Sequence, residues 1–143
     1  MSLRIVVVDD NVDLVDSLVS VLELLGHEAS GATDGESGVV RIETIKPDVA
    51  FVDVGMPGMS GFDVASHVRR HSWGHSILLI ALTGWGRPED REQCHDAGFD
   101  HVAVKPVDID YLRVMLERIE SCTPIAGAVQ AARAEPPSRA ARP

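Results

Sequence analysis

The sequence alternates five times between a short apolar run and a longer amphipathic stretch. Residues 4–9, RIVVVD, form a β-branched run that ends in an acid, which is typical of a strand buried on both faces. Residues 12–25 place apolar side chains three and four positions apart and are followed by Gly26, which favours a helix that ends there. Strands separated by helical segments pair in parallel, so the alternation predicts an α/β fold with helices on both faces of a parallel sheet.

The remaining elements follow in the same order. Pro88 suits the first turn of the fourth helix, and Asp108 suits the cap of the fifth, which ends near Glu120. Residues 55–61, GMPGMSG, form a loop because of their glycines and proline. We predict the other strands over 27–32, 49–52, 77–82 and 101–104, and the other helices over 35–45, 62–70 and 88–97.

Length and a change of composition indicate one folded domain followed by a tail. The 143 residues match the size of a single domain, which is commonly about 100–150 residues. Beyond Cys122 the chain consists mainly of Ala, Pro and Arg, a composition that favours disorder or a linker. We therefore assign residues 3–121 to the domain and residues 122–143 to the tail.

Charge, hydropathy and cysteine content exclude several classes of function. The net charge of −9 repels nucleic acid phosphates, so direct binding of DNA or RNA is not expected. No apolar run reaches the roughly 18 residues that a membrane span needs, and the N-terminus lacks a signal-peptide pattern, so we expect a cytoplasmic protein without membrane contact. Cys94 and Cys122 lack a metal-binding or redox spacing, and we expect free thiols.

Polar residues that can carry chemistry stand where the predicted strands end. Asp9 and Asp10 follow the first strand, Asp53 the third, Thr83 the fourth and Lys105 the fifth. In a parallel sheet these ends lie at one edge, where α/β folds place their ligand sites. Three carboxylates brought together repel one another unless a cation lies among them. Ligands that are all oxygens suit Mg²⁺ better than zinc.

A lysine and a hydroxyl that face such a cluster are suited to holding a phosphoryl group. Lys105 would offset the negative charge of its oxygens, and Thr83 would donate a hydrogen bond. One carboxylate then becomes a plausible nucleophile that forms an acyl phosphate. Asp53 is the best candidate because it ends an apolar strand and precedes a glycine-containing loop.

The order of four motifs carries a family resemblance. With VVDDN, FVDVGMPGMSG, ALTG and VKP in this order, the chain resembles the response-regulator receiver domains of two-component signalling over about residues 3–120. The local sequence is similar to receivers of hybrid histidine kinases and to stand-alone response regulators. The resemblance implies a flavodoxin-like, doubly wound five-stranded sheet with strand order 2-1-3-4-5.

The resemblance also implies a metal site and a phosphoacceptor. Asp53 matches the phosphorylated residue of the family, and Asp10 matches the direct Mg²⁺ ligand. Asp9 matches a residue that binds the ion directly or through water. Gly55 matches the residue whose backbone carbonyl completes the metal site.

Further positions match the switch of the family only in part. Thr83 matches the switch hydroxyl, Lys105 matches the phosphoryl-binding lysine, and the Lys105–Pro106 peptide bond is expected to be cis. The family often has Tyr, Phe or His three residues before this lysine, where this chain has Val102. We consider the adjacent His101 as a substitute.

The implied function is a signalling switch. A histidine kinase or a histidine phosphotransfer protein would phosphorylate Asp53 with Mg²⁺, and hydrolysis would reset the switch, so no separate enzymatic substrate is expected. A downstream protein would bind a face built from about residues 87–120, and a homodimer is compatible with the sequence. Gly55 and Trp85 occupy variable positions that tune dephosphorylation in the family, and we expect Trp85→Ala to alter the lifetime of the aspartyl phosphate.

Two alternative functions share parts of this pattern. A phosphatase with an aspartyl nucleophile would carry a second acid two residues after the first, where this chain has Gly55. A pseudo-receiver that docks proteins without phosphorylation would not need the acids, the threonine and the lysine that are all present here.

Three histidines invite a separate metal-site hypothesis. His67 and His71 are four residues apart on a predicted helix, and His75 follows nearby. The sequence offers no adjacent carboxylate or cysteine to complete a ligand set, so we expect a solvated helix face instead.

Overall fold

Five strands alternate with five α-helices in the computed structural model, which describes residues 2–84 and 87–120. The strands are β1 (Arg4–Val8), β2 (Glu28–Ala32), β3 (Val49–Asp53), β4 (Leu78–Thr83) and β5 (His101–Val104). The helices are α1 (Val12–Leu24), α2 (Gly35–Ile45), α3 (Gly61–Arg69), α4 (Pro88–Ala97) and α5 (Ile109–Glu120). The predicted tail and Trp85 lie outside the described residues.

The strands form one parallel sheet in the order β2-β1-β3-β4-β5. This order confirms the predicted flavodoxin-like fold. In the register of the sheet, Val8 lies opposite Val52, and Thr83 lies opposite Val104. The carboxyl ends of the four adjacent strands β1, β3, β4 and β5 are therefore nearly level at one edge.

Strand alternation divides the core between the two faces of the sheet. One face of the sheet, which includes Val7 and Phe51, packs against α1 and α5, whose apolar side chains include Leu22 and Leu112. The opposite face, which includes Val52, belongs to a second cluster with side chains of α2, α3 and α4. Both faces are covered, which explains why the strands read as continuous apolar runs.

Capping residues fix where several helices begin. Asn11 accepts a hydrogen bond from the backbone of Leu14 at the start of α1. Ser60 and Asp63 form a reciprocal capping box at the start of α3, and Asp108 accepts the backbone N–H of Tyr111 as predicted. These local hydrogen bonds satisfy N–H groups that have no partner inside their own helix.

The segment after α3 differs from the prediction. The helix ends at Arg69, and a short 3₁₀ helix spans Ser72–Ser76, which the sequence pattern did not predict. Gly74 packs so closely on the backbone of Val68 that an added Cβ would collide with its carbonyl oxygen. This contact turns the chain back toward β4 and leaves His71 beyond the end of α3.

The guanidinium of Arg69 joins three segments of the chain at this end of the sheet. It donates to the carbonyl oxygens of Gly98, Gly74 and Ile77 at 2.9, 2.6 and 2.8 Å. It also lies 2.7 Å from Asp100 Oδ2, which accepts the backbone N–H of Leu79 at the start of β4. Both charged side chains are largely buried, so each depends on the other for compensation of its charge.

Within the described ranges, no helix is both long and apolar enough to span a bilayer.

We expect Arg69→Ala to lower the free energy of unfolding by about 3 kcal/mol, because it leaves the Asp100 carboxylate buried without its cation. The adjacent exposed residue provides a matched control, since Arg70→Ala should change stability by less than about 0.5 kcal/mol. Urea unfolding of both variants at neutral pH measures this difference. Equal stabilities of the two variants would contradict the role of the Arg69 network.

Candidate phosphorylation and metal site

The sheet brings the polar residues at its strand ends to one edge. Asp9 directly follows β1, and its backbone N–H donates to the carbonyl oxygen of Ala32. Asp53 is the last residue of β3, and Thr83 is the last residue of β4. Lys105 directly follows β5, and its backbone N–H donates to the carbonyl oxygen of Thr83 at 2.8 Å. These residues therefore lie together as the sequence predicts.

Three carboxylates converge at this edge. Asp9, Asp10 and Asp53 each offer an oxygen atom, and these oxygens all lie within 4.8 Å of one another. Asp9 is fully buried and Asp53 is 6% exposed, whereas Asp10 is open to solvent. The cluster therefore combines a buried floor with an accessible side.

The ammonium group of Lys105 compensates part of this charge. Its Nζ lies 2.7 Å from Asp9 Oδ2 and 3.3 Å from Asp53 Oδ1. Burial acts to lower the pKa of Lys105, but the hydrogen bond with Asp9 and the charge of Asp53 outweigh it, so the pKa is raised. The lysine is therefore charged at neutral pH.

Backbone N–H groups orient two of the carboxylates. Asn11 donates to Asp9 Oδ1 at 2.9 Å, and Gly55 donates to Asp53 Oδ1 at 3.1 Å. The pKa of Asp53 is raised, first by burial and then by the charge of Asp9, although the Gly55 N–H and Lys105 act in the opposite direction. Asp53 is thus a carboxylate whose negative charge is only partly compensated.

The donor set suits a hard divalent cation. Three carboxylates, one of them exposed, supply oxygen ligands and leave room for water, as Mg²⁺ requires. One lysine does not compensate three negative charges, so a cation at this site would relieve the remaining repulsion. Gly55 is exposed and lies two residues after Asp53. The role of its carbonyl oxygen as a metal ligand stays a prediction.

A glycine that the sequence argument did not single out allows α3 to begin against the end of β3. An added Cβ at Gly61 would collide with the carbonyl oxygen of Asp53 and would lie 2.7 Å from Val54 Cα. Gly58, with φ of +73°, makes the turn that returns the loop to this position. The only signal in the sequence was the glycine that follows the capping residue Ser60.

The residues expected to act as the switch lie at the ends of β4 and β5 and within β5. Thr83 is buried at the end of β4, and the Lys105–Pro106 peptide bond is cis as expected. Val102 belongs to the core cluster on the α4 side of the sheet. Its neighbour His101 is directed to the opposite face by strand alternation and does not take the place of an aromatic residue at position 102.

The expectation for the histidines is wrong in one respect. A carboxylate does accompany His67 and His71, because Glu43 of α2 lies beside both. Glu43 is 24 residues from His67 in the chain, so the packing of α2 against α3, rather than local sequence, brings them together.

Comparison with known families shows which family this chain belongs to. The family model for the response regulator receiver domain matches residues 5–117. The chain belongs to this family. It is therefore a receiver domain of the kind found in two-component systems.

A curated relative and two solved structures show the range of similar proteins. The DNA-binding dual master transcriptional regulator RpaA of Synechocystis is 30% identical over 121 residues, which is 82% of this chain and 50% of RpaA. The chemotaxis protein CheY4 of Vibrio cholerae has a TM-score of 0.78 and 27% identity, with coverage of 83% of this chain and 99% of CheY4. The chain thus spans about half of the regulator and nearly all of the chemotaxis protein.

The second solved structure contains a magnesium ion and is therefore informative about the metal site. The receiver domain of sensor histidine kinase PA1611 from Pseudomonas aeruginosa has a TM-score of 0.75 and 27% identity, with coverage of 82% of this chain and 97% of that domain. It was solved with a magnesium ion coordinated in its active site cleft. The acidic cluster of this chain is compatible with the same ion.

We expect Asp53→Asn to stabilise the fold when no divalent cation is present. The raised pKa means that the folded state holds this proton more tightly than the unfolded state, so stability falls as pH rises through the interval between the two pKa values. At neutral pH the ionised carboxylate therefore destabilises the fold. Because Lys105 keeps Asp9 as its partner, the neutral side chain should raise the free energy of unfolding by roughly 1 kcal/mol.

Urea unfolding in EDTA at pH 7 measures this change. Asp16→Asn, an exposed substitution in the middle of α1, is the matched control and should have little effect. Added Mg²⁺ should stabilise the wild-type protein more than Asp53→Asn. Loss of stability in Asp53→Asn under metal-free conditions would contradict the electrostatic argument.

Proposed function

We propose that this receiver domain is a phosphoacceptor switch in which Asp53 takes a phosphoryl group from a histidine kinase or a histidine phosphotransfer protein. The observation that carries the proposal is the position of Asp53 at the carboxyl edge of the sheet, 3.3 Å from the Lys105 ammonium and beside two further carboxylates. Membership in the receiver family supports the same chemistry.

The contacts of Asp53 indicate which of its oxygens reacts. Gly55 and Lys105 both contact Oδ1, and in this proposal Oδ2 would be the attacking oxygen. In the transfer, this oxygen forms a bond to phosphorus, the bond between phosphorus and the donor's imidazole nitrogen breaks, and the imidazole leaves with that electron pair. The product is an acyl phosphate on Asp53.

The neighbouring side chains would stabilise the charge that the transfer brings to the site. Lys105 lies between Asp9 and Asp53 and would contact phosphoryl oxygens as a charged donor. Asp9, Asp10, Asp53 and the carbonyl of Gly55 would hold Mg²⁺, which neutralises negative charge on the phosphoryl oxygens when bound. Attack of water on the acyl phosphate would restore Asp53, so the domain needs no further substrate.

Phosphorylation would reach a partner through the segment from α4 to α5. A phosphoryl group competes with Asp9 and Asp53 for the Lys105 ammonium, and the hydroxyl of Thr83 stands at the end of the adjacent strand. Val104, Ile109 and Val114 expose apolar side chains at 40%, 52% and 50% within residues 87–120, the segment proposed to contact the downstream protein. Val102 has no aromatic ring to rotate, so this switch would depend on Thr83 and Lys105.

The proposal assigns the domain to the cytoplasm and to protein partners. The net charge of −9 of the whole chain disfavours contact with nucleic acids. RpaA is named as a DNA-binding regulator, but the match covers only 50% of its length. We therefore do not carry its DNA-binding function over to this chain. A cognate kinase or phosphotransfer protein would approach the acidic cluster from the side of Asp10, because this carboxylate is open to solvent.

Intact-protein mass spectrometry tests the proposal directly. After incubation with phosphoramidate or acetyl phosphate, we expect the addition of one phosphoryl group that requires both Mg²⁺ and Asp53. Asp53→Asn should show no adduct, and Lys105→Ala should show a strongly reduced one because the charged donor to the phosphoryl oxygens is lost. Asp16→Asn should react like the wild-type protein.

Beryllofluoride provides a second measurement in case the protein does not react with small phosphodonors or hydrolyses its aspartyl phosphate quickly. A complex that forms with Mg²⁺ in the wild-type protein and is absent in Asp53→Asn would support the proposal. Failure of both small phosphodonors and of beryllofluoride would overturn it and favour a docking module that works without phosphorylation.

A further inference from the structure

A second cluster of metal-binding side chains lies away from the acidic edge. The Oε1 atom of Glu43, near the end of α2, is 2.9 Å from His67 Nε2 and 3.8 Å from His71 Nε2. All three ligand atoms lie within 4.8 Å of one another. Two imidazoles and one carboxylate therefore face the same small volume.

We propose that Glu43, His67 and His71 bind a divalent transition-metal ion of the zinc class. Imidazole nitrogen and carboxylate oxygen are ligands of Zn²⁺, and three protein ligands leave its fourth position to water. In a tetrahedral site with metal–ligand bonds of about 2.0–2.1 Å, neighbouring ligand atoms are about 3.3 Å apart. The two distances from Glu43 lie on either side of this value, and all three ligand atoms lie within 4.8 Å of one another, so the cluster is close to the size of such a site.

The packing of two helices holds the ligands in place. Ile42, beside Glu43, and Val68, beside His67, are fully buried in the same core cluster, so the two helices are fixed relative to each other. The ring of His71 stacks on Trp73, with ring centroids 5.0 Å apart and an interplanar angle of 8°. Glu43 and His67 thus come from two packed helices, and His71, which lies beyond the end of α3, is positioned by its stacking on Trp73.

Charge and exposure at the cluster are compatible with an entering cation. The side chains of His67, His71 and Glu43 are 28%, 41% and 42% exposed, so an ion can reach them from solvent. The hydrogen bond from His67 lowers the pKa of Glu43, which keeps its carboxylate ionised. The Lys46 ammonium also acts electrostatically on Glu43 and would oppose an entering cation.

The cluster is separate from the phosphorylation site. His67 is in the last turn of α3, and Glu43 is in the last turn of α2. These ends lie beside the amino ends of the strands, at the sheet edge opposite to Asp53. An ion here would join α2 to the end of α3, and the inference does not depend on the proposed phosphorylation.

Competition with a chromogenic chelator of known affinity measures binding of Zn²⁺ alone as the probe. The experiment uses the full chain without an affinity tag, in excess Mg²⁺ so that the acidic cluster is occupied by the harder ion. We expect one equivalent of zinc to bind, and each of His67→Ala, His71→Ala and Glu43→Gln to weaken binding by at least about tenfold. Saturating Ca²⁺ should not displace the zinc, because hard cations prefer oxygen ligands.

Three controls separate this site from other ligands in the chain. His95→Ala removes an exposed histidine of α4, Asp53→Asn alters the acidic cluster, and Cys122→Ser removes a thiol outside the described residues. All three variants should keep the zinc affinity of the wild-type protein. If a control variant loses binding while His67→Ala and His71→Ala retain it, the proposed ligand set is wrong.

Nuclear magnetic resonance of the histidine rings distinguishes a metal site from an ion pair. Zinc should shift the Nε2 resonances of His67 and His71 and leave those of His95 unchanged. If the alanine variants are less stable than the wild-type protein but bind zinc equally well, Glu43 and the histidines form only an ion pair between helices, and the proposal fails. The proposal likewise fails if the wild-type protein binds no zinc under these conditions.

Discussion

The contact of the Lys105 ammonium group with the buried carboxylates of Asp9 and Asp53 is the interaction on which the carboxyl edge of the sheet depends. A parallel sheet gathers the carboxyl ends of its strands, and in this chain those ends carry acids. Without Lys105 at 2.7 Å, the charge of Asp9 would be buried with the N–H of Asn11 as its remaining hydrogen-bond donor among the residues that the structure describes. The site is therefore held together by a lysine that, in the proposed function, a phosphoryl group would also attract, so that folding and phosphorylation would depend on the same charge.

The sequence was sufficient for those features that depend on local periodicity and on the geometry common to all parallel sheets. Short β-branched runs and spaced apolar residues predict the elements, and the topology then requires Asp9, Asp53 and Lys105 to meet at one edge. The strand order, the cis peptide bond and the roles of individual residues came from the family resemblance. Periodicity alone does not determine which strand lies beside which.

The features that the sequence did not reveal are contacts between segments distant in the chain. Glu43 meets His67 only because α2 packs on α3, and nothing near the histidines indicates this. The 3₁₀ helix depends on Gly74 fitting against the backbone of Val68, which is again a matter of close packing. Arg69 looks like an ordinary charged residue of a helix end until its partners around Asp100 are known.

The position of Arg69 has a mechanical consequence for the domain. Its guanidinium fastens the end of α3, the approach to β4 and the turn before β5 to one another, all at the sheet edge remote from Asp53. The amino ends of β4 and β5 are thereby fixed to α3, whereas at the opposite edge the ends of β1 and β3 are joined to the segment after β5 through the Lys105 ammonium. Displacements that begin at Asp53 would then act first on the edge that contains Lys105, and the amino ends of β4 and β5 would keep their positions relative to each other.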